Sequence, residues 1–127
     1  MVKDENNEHL IDEAENRQTV NPTVGTEMGY EVSLAIRRVP AGALYPDDFG
    51  VNLYIAREGS DNIDIARVDT SHDGCHIDRL YLPDGHEQRH QDKGFQTQNP
   101  EGAVKYITEE DRWRDWVRRY DENHGLP

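Results

Sequence analysis

The chain has 127 residues, of which 26 are acidic and 14 basic, with a formal net charge of −12 and 34% hydrophobic residues. This length suits one domain with a modest core, and the single cysteine excludes an internal disulfide and fits a reducing cytoplasm. No apolar run approaches the ~18 residues that span a bilayer, and no cluster of Lys or Arg suits broad contact with nucleic acid or anionic membrane, so any RNA contact would be local.

The types of charged residue indicate a protein from a salt-loving organism. Only three of the basic residues are lysine, and Asp is about as common as Glu. Such a surface is typical of a protein that stays soluble in concentrated salt, where long-range repulsion is screened. Because acidity is ordinary in that setting, it does not by itself indicate a basic partner.

Residues 1–27 are predicted to form an acidic flexible N-terminal tail, and residues 28–127 a single domain. The domain begins with segments in which apolar and polar residues alternate, as in half-buried strands. These are EVSLAIRRV (31–39), VNLYIAR (51–57), NIDIARVDTSH (62–72) and CHIDRLYL (75–82). Short turns between them favour an antiparallel meander. An exposed edge such as EVSLAIRRV could pair in a homodimer.

The C-terminal third is predicted to be a long loop followed by helix. Residues 84–98 have no usable period. Asn99-Pro100 is typical of a helix start, and Thr108 with Asp111 resembles a second one. An apolar stripe at helical spacing follows, and Gly125 ends it: Trp113, Trp116, Val117 and Tyr120. The predicted fold is therefore α+β, an antiparallel four-stranded sheet with one or two C-terminal helices packed on one face.

The stretch RVDTSHDGCHIDRLY (67–81) holds the candidate site. A two-residue turn at Asp73-Gly74 would pair Asp69 with Asp78. One face would then carry Arg67, Asp69, Ser71, His76 and Asp78. An Asp pair beside an imidazole and a guanidinium suits acid–base chemistry and anion stabilisation. A solvated polar hairpin explains the same residues, and a three-residue turn would move one strand's residues to the other face.

Metal binding is an alternative for the same region. Zinc, or another divalent metal, would accept the ligand set His72, Cys75, His76, His86 and His90. However, the spacing matches no zinc-finger pattern, and strand alternation puts Cys75 and His76 on opposite faces. No other cofactor is predicted. Arg119 and His124 have the spacing of the Arg…His motif of HEPN ribonucleases, although a basic helix C-terminus explains them equally.

The hairpin carries the pattern Arg-x-Asp-x-x-His…His-x-Asp-Arg-Leu-Tyr, and the chain ends in WRDWVRRYDENHG. The matching residues are Arg67, Asp69, His72, Gly74, His76, Asp78, Arg79, Leu80 and Tyr81. Both features resemble an uncharacterised family of small proteins of halophilic archaea, over residues 51–125. More distantly, an Arg-x-Asp followed by several histidines is similar to TumE-type toxins of toxin–antitoxin systems. This second resemblance implies a small protein rich in antiparallel strands.

These features lead to the hypothesis of a small cytoplasmic toxin-like protein of a toxin–antitoxin type system, with ribonuclease-like activity and a cognate protein partner. His76 would be the general base or acid, Arg67 would stabilise the phosphate, and Asp69 and Asp78 would orient the histidine, with His72 in support. The alternative is a non-enzymatic acidic interaction protein, such as an antitoxin, inhibitor or adaptor, that binds through its acidic surface and tail. Neither hypothesis involves a membrane.

Overall fold

The computed structural model describes residues 11–12, 17–71, 74–91 and 95–127. In this part of the chain, two C-terminal helices pack on one face of an antiparallel sheet. The predicted α+β class is therefore confirmed, although the described sheet has eight strands rather than four. They are β1 (Ile11–Asp12), β2 (Arg17–Val20), β3 (Thr23–Glu27), β4 (Tyr30–Val39), β5 (Asp48–Ile55), β6 (Ile63–Ser71), β7 (Gly74–Asp78) and β8 (His90–Gln91).

The predicted meander forms the middle of the sheet. The strand order is β1-β2-β4-β5-β6-β7-β8, with β3 also paired to β4. Apolar residues of β4 and β5, such as Val32, Leu34 and Leu53, are fully buried, while the residues between them point to the other face. This alternation gives the sheet one apolar face and one polar face.

Part of the predicted tail belongs to the sheet. Strand β2 pairs with β4 through Thr19 and Arg37, and β3 pairs with β4 through Thr26 and Glu31. The polar sequences RQTV and TVGTE lack the apolar alternation that marks a strand. Because β4 has neighbours on both sides, the prediction that EVSLAIRRV is an exposed edge is wrong. Residues 1–10 and 13–16 of the predicted tail lie outside the described residues.

The helices are α1 (Pro100–Thr108) and α2 (Arg112–His124), joined by a 3₁₀ turn over Glu109–Asp111. Asn99 caps α1, because its Oδ1 accepts a hydrogen bond from the Gly102 amide at 3.0 Å. Thr108 does not start α2, since its hydroxyl donates to the Val104 carbonyl at 2.8 Å. The chain turns instead at Glu110 and Asp111, both with positive φ.

The hydrophobic core lies between the sheet and the helices. Trp113, Trp116 and Val117 are buried, as the stripe predicts, and the Trp116 ring stacks on Tyr81 with centroids 5.1 Å apart. Among the helices of the described residues, none is long and apolar enough to cross a membrane. Both helices cover the apolar face, and in the part of the chain that the structure describes no helix lies over the other face, which we call the open face.

Candidate functional site

The open face of the sheet carries the candidate site, and we call it the polar sheet face. Strand pairing aligns its side chains in two rows across neighbouring strands. The first row is Thr19, Arg37, Gly50, Asp69 and His76, and the second is Ala35, Asn52, Arg67, Asp78 and His90. Four of the five predicted site residues are therefore on one face. The fifth, His72, lies outside the described residues.

The hairpin register differs from the predicted one by two residues. Asp69 pairs with His76, and Arg67 pairs with Asp78, so the predicted Asp69–Asp78 pair is wrong. Side chains alternate with a period of two, and a shift of two positions therefore leaves every residue on its predicted face. The change has a favourable consequence, because each aspartate now faces a basic side chain instead of another carboxylate.

Asp78 is the centre of a hydrogen-bonded cluster. Its Oδ2 accepts from Arg67 Nη2 at 3.1 Å and from Arg67 Nε at 3.3 Å, and its Oδ1 lies 2.7 Å from His90 Nδ1. Asp69 Oδ2 is 3.7 Å from the same Arg67 Nε. Burial raises the pKa of Asp78, but the hydrogen bonds from His90 and Arg67 outweigh that effect, and the net pKa is lowered. Asp78 is therefore ionised at neutral pH.

His90 reaches Asp78 because the preceding loop folds back on the sheet. The Arg79 amide donates to the Arg89 carbonyl at 2.6 Å. The Arg89 guanidinium also donates to the carbonyls of Leu82, at 3.3 Å, and Leu80, at 3.4 Å. These bonds place β8 beside β7 with His90 opposite Asp78. The sequence does not predict this role of His90, because the loop has no periodicity that indicates a strand.

The contact with Asp78 fixes the tautomer of a neutral His90. An ionised carboxylate can only accept hydrogen bonds, so Nδ1 must carry the proton that lies between the two groups. Nε2 is then an acceptor, and the side chain is 62% exposed. A histidine held by a carboxylate, with its second nitrogen open to solvent, is suited to proton transfer.

A groove of about 230 Å³ lies beside this cluster. It is lined by Thr19, Ala35, Arg37, Gly50, Val51, Asn52, Arg67 and Asp69. Gly50 forms its floor, and the Arg37 guanidinium lies close above: a Cβ at position 50 would be 3.1 Å from Arg37 Nη1. The absence of a side chain at residue 50 therefore lets the Arg37 guanidinium pack closely on the sheet at this edge of the groove.

Two polar residues shape the wall of the groove. Arg37 Nη2 donates to Asp48 Oδ1 at 3.1 Å. Burial raises the pKa of Asp48, but the hydrogen bonds from Thr70 and Arg37 outweigh this effect, so the net pKa is lowered. Asn52 Nδ2 donates to Asp64 Oδ1 at 2.9 Å, while Asn52 Oδ1 is buried without a hydrogen-bond partner among the described residues.

Of the proposed metal ligands, His72 lies outside the described residues, and the others do not share one site. Cys75 is buried in the core, where its thiol donates to the Phe95 carbonyl at 3.2 Å and accepts from the Thr97 amide at 3.3 Å. His86 Nδ1 accepts from the Gln88 amide at 3.0 Å. In the described ranges, no three His, Cys, Asp or Glu side chains are grouped to hold a metal ion.

The Arg…His pair of the last helix has a packing role. The Arg119 guanidinium lies 5.1 Å from the centroid of the Tyr81 ring. His124 Nε2 is 2.8 Å from the Leu82 carbonyl oxygen. Both residues therefore hold α2 against the segment that follows β7, and this geometry gives no support to the HEPN interpretation.

Comparison with known proteins identifies a family without an assigned function. No match was found among curated proteins or among solved structures. A family model described as a domain of unknown function, DUF7718, matches residues 42–126, which is more than half of the chain. The match includes strands β5 to β8 and both helices, and thus the Asp78 cluster. The chain therefore belongs to the DUF7718 family.

Proposed function

We propose that this protein is a ribonuclease-like toxin of a toxin–antitoxin type system, which cleaves RNA at the Asp78 cluster. The observation that carries this proposal is the 2.7 Å contact between Asp78 and the exposed His90, with Arg67 bound to the other oxygen of the same carboxylate. It supplies an oriented acid–base group beside a cation, the two elements that phosphodiester cleavage requires.

A second histidine completes the acid–base pair. His76 is two residues before Asp78 on the same strand, and Asp78 faces His90. Diagonal neighbours across two strands have Cα atoms roughly 7–8 Å apart. Two imidazoles at this separation can act on opposite sides of one phosphate. The proposal therefore keeps the acid–base role of His76 and adds His90 as its partner.

The proposed reaction is an internal transesterification. His90 Nε2 removes the proton of the ribose 2′-hydroxyl, and the 2′-oxygen forms a bond to phosphorus. The bond from phosphorus to the 5′-oxygen breaks, and protonated His76 gives its proton to that oxygen. The products are a 2′,3′-cyclic phosphate and a 5′-hydroxyl. Arg67 Nη1, which makes no hydrogen bond within the described part of the chain, stabilises the charge on the phosphate oxygens.

The acidic character of the protein sets the size of the RNA contact. Because the protein has a net charge of −12, it repels a long RNA except where Arg67 and Arg37 face the groove. The proposal is therefore a local contact with one or two nucleotides of single-stranded RNA. The single cysteine fits a cytoplasmic site of action. In concentrated salt, the repulsion between the acidic surface and the RNA is screened.

The direct test uses the purified full-length chain and a short labelled RNA in the presence of EDTA. We expect cleavage that leaves a 2′,3′-cyclic phosphate, and no cleavage of the same sequence made of DNA, which lacks the 2′-hydroxyl. Replacing either histidine, as in His90→Ala or His76→Ala, should reduce the rate by about 100-fold or more. The control His86→Ala changes an exposed histidine of the same loop and should leave the rate unchanged.

Expression in a host tests the toxin role. Induction of the intact chain should arrest growth, and His90→Ala, with folding verified by circular dichroism, should not. Equal RNA cleavage by the intact chain and His90→Ala would reject the proposed site. If the folded intact protein neither cleaves RNA nor arrests growth, the non-enzymatic interaction protein becomes the better hypothesis.

A further inference from the structure

Arg119 on α2 differs from most arginines of this protein, because no carboxylate pairs with it. Most of the other arginines form an ion pair with Asp or Glu, as Arg118 does with Glu27. Arg119 is exposed, and within the residues that the structure describes it makes no hydrogen bond or ion pair. In a chain with 26 acidic and 14 basic residues, such a guanidinium is a local excess of positive charge.

The acidic residues nearest to Arg119 on α2 do not neutralise it. Asp115 lies one turn before Arg119 and Glu122 nearly one turn after it, at spacings where side chains of a helix meet. Neither forms an ion pair with Arg119 in the described part of the chain. The guanidinium lies instead 5.1 Å from the centroid of the Tyr81 ring. A guanidinium in such a cation–π contact keeps its N–H groups for other acceptors.

A second guanidinium approaches the same tyrosine from the sheet. Arg79 follows the last residue of β7, and its Nη1 lies 3.5 Å from the Gln88 carbonyl oxygen. Burial raises the pKa of the Tyr81 hydroxyl, and the positive charges of Arg79 and Arg119 act against this effect. Both cations therefore lie close to one phenol group, although they belong to different elements of the fold.

This pair of arginines is separate from the Asp78 cluster. Tyr81 stacks on Trp116 of α2 with ring centroids 5.1 Å apart, so its ring lies on the side of the sheet that the helices cover. The Asp78 cluster is on the polar sheet face. The positive charge of Arg79 and Arg119 thus has no part in the proposed cleavage reaction.

We propose that Arg79 and Arg119 form a phosphate-binding site beside Tyr81. A planar guanidinium matches two oxygens of a phosphate group in a bidentate manner, and two guanidiniums from different elements bind one phosphate from two directions. A phosphate monoester carries about −1.5 to −2 charges at neutral pH, which balances both cations, whereas a carboxylate carries one charge. The ligand is a phosphate group, and either an RNA strand or free phosphate supplies it.

The first arm of the test uses inorganic phosphate and the full-length chain labelled with ¹⁵N. The Nε–H signals of the arginines are followed by NMR while phosphate replaces chloride at constant ionic strength. We expect the signals of Arg119 and Arg79 to shift and to saturate. The control signal is that of Arg57, which donates to the Asp61 carbonyl at 3.0 Å in the turn between β5 and β6, and it should not shift.

The second arm uses a short single-stranded RNA whose 2′-oxygens are methylated, so that the proposed cleavage cannot occur. Its affinity for the full-length chain is measured by fluorescence anisotropy at several salt concentrations. We expect Arg119→Gln to weaken binding by about fivefold and to flatten the slope of log K against log salt by about 0.7, which corresponds to one phosphate contact. Arg57→Gln removes the same charge elsewhere and should change neither quantity.

A further variant separates binding from packing, because Arg119 also contacts the Tyr81 ring. Arg119→Lys keeps the positive charge but lacks the planar guanidinium. It should retain the salt slope of the intact chain, while Arg119→Gln should not. Circular dichroism verifies that both variants are folded.

The two arms give distinct outcomes. A shift of the Arg119 signal with phosphate, together with the flatter salt slope in Arg119→Gln, supports the site and identifies its ligand as a phosphate of RNA. The same shift without any effect of Arg119→Gln on RNA affinity supports the site and identifies its ligand as free phosphate. If the Arg119 signal moves no more than that of Arg57, the proposal is rejected. Neither arm measures cleavage, so a failure of the proposed ribonuclease reaction leaves this result unchanged.

Discussion

Replacing Asp78 by asparagine should weaken the fold as well as the proposed activity. The substitution removes the charge that three donors contact, two from Arg67 and one from His90. Hydrogen bonds to a charged group contribute roughly 1.5–3 kcal/mol each when buried. Asp78 is 21% exposed, but Arg67 is 42% and His90 62% exposed, so screening reduces the sum. We expect a loss of about 2 kcal/mol in the free energy of unfolding at pH 7 and low salt.

Urea denaturation at about 0.1 M salt measures this loss, which corresponds to a decrease of roughly 6–10 °C in Tm for a chain of this size. The folded-state pKa of Asp78 lies below its ordinary value of 3.8. The charge therefore stabilises the fold above that pH, and the contribution disappears as the pH falls through the folded-state pKa. The difference between the intact protein and Asp78→Asn should thus vanish in acid.

The matched control is Asp84→Asn. Asp84 is 85% exposed and lies 3.4 Å from Arg89, and such surface pairs contribute about 0–1 kcal/mol. If Asp78→Asn lowers the free energy of unfolding no more than Asp84→Asn does, the hydrogen bonds from Arg67 and His90 do not stabilise the fold as proposed. Molar salt should reduce the effect of Asp78→Asn, because the Debye length falls to about 3 Å.

Three further predictions concern the scaffold. Ile77→Ala, at a fully buried position of β7, should cost about 3 kcal/mol in urea denaturation because it leaves a cavity; a cost below about 1 kcal/mol would mean that β7 is not part of the core. Asn99→Ala removes the cap of α1 and should lower the free energy of unfolding by about 1 kcal/mol; an unchanged free energy of unfolding would contradict this capping role. Hydrogen bonds from Arg118 and Arg114 lower the pKa of Glu27, so Glu27→Gln should destabilise the fold at neutral pH. That difference should shrink as the pH falls through the folded-state pKa of Glu27, and a pH-independent difference would contradict the ion pairs.

The sequence predicts the face of the hairpin but not its pairs. Arg67, Asp69, His76 and Asp78 share a face in any register shifted by an even number of residues. An Asp-Gly dipeptide is a strong turn signal, yet Gly74 is the first residue of β7 and pairs with Ser71. The sheet face of each side chain follows from the local alternation of residues. The cross-strand partners depend instead on which residues form the turn, and the residues next to the turn do not specify this.

The strands that complete the site have little sequence signal of their own. Strands β2 and β3 are polar, and their pairing is determined by the hydrogen-bonding groups of β4 rather than by apolar residues. Strand β8 has two residues, and the carbonyls that Arg89 contacts position it. Tertiary contacts of this kind have no local period. The contact between His90 and Asp78 and the position of the Arg37 guanidinium over Gly50 could therefore not be predicted from the sequence.

The row Arg37–Gly50–Asp69 crosses the boundary of the family match. Residue 37 precedes the matched span of residues 42–126, while the Asp78 cluster lies within it. The residues proposed to carry out the cleavage therefore lie within the matched span, whereas Arg37, which lines the groove beside them, lies outside it. The cluster and this wall of the groove come from different segments of the chain, so a substitution at residue 37 would change the groove without changing any residue of the Asp78 cluster.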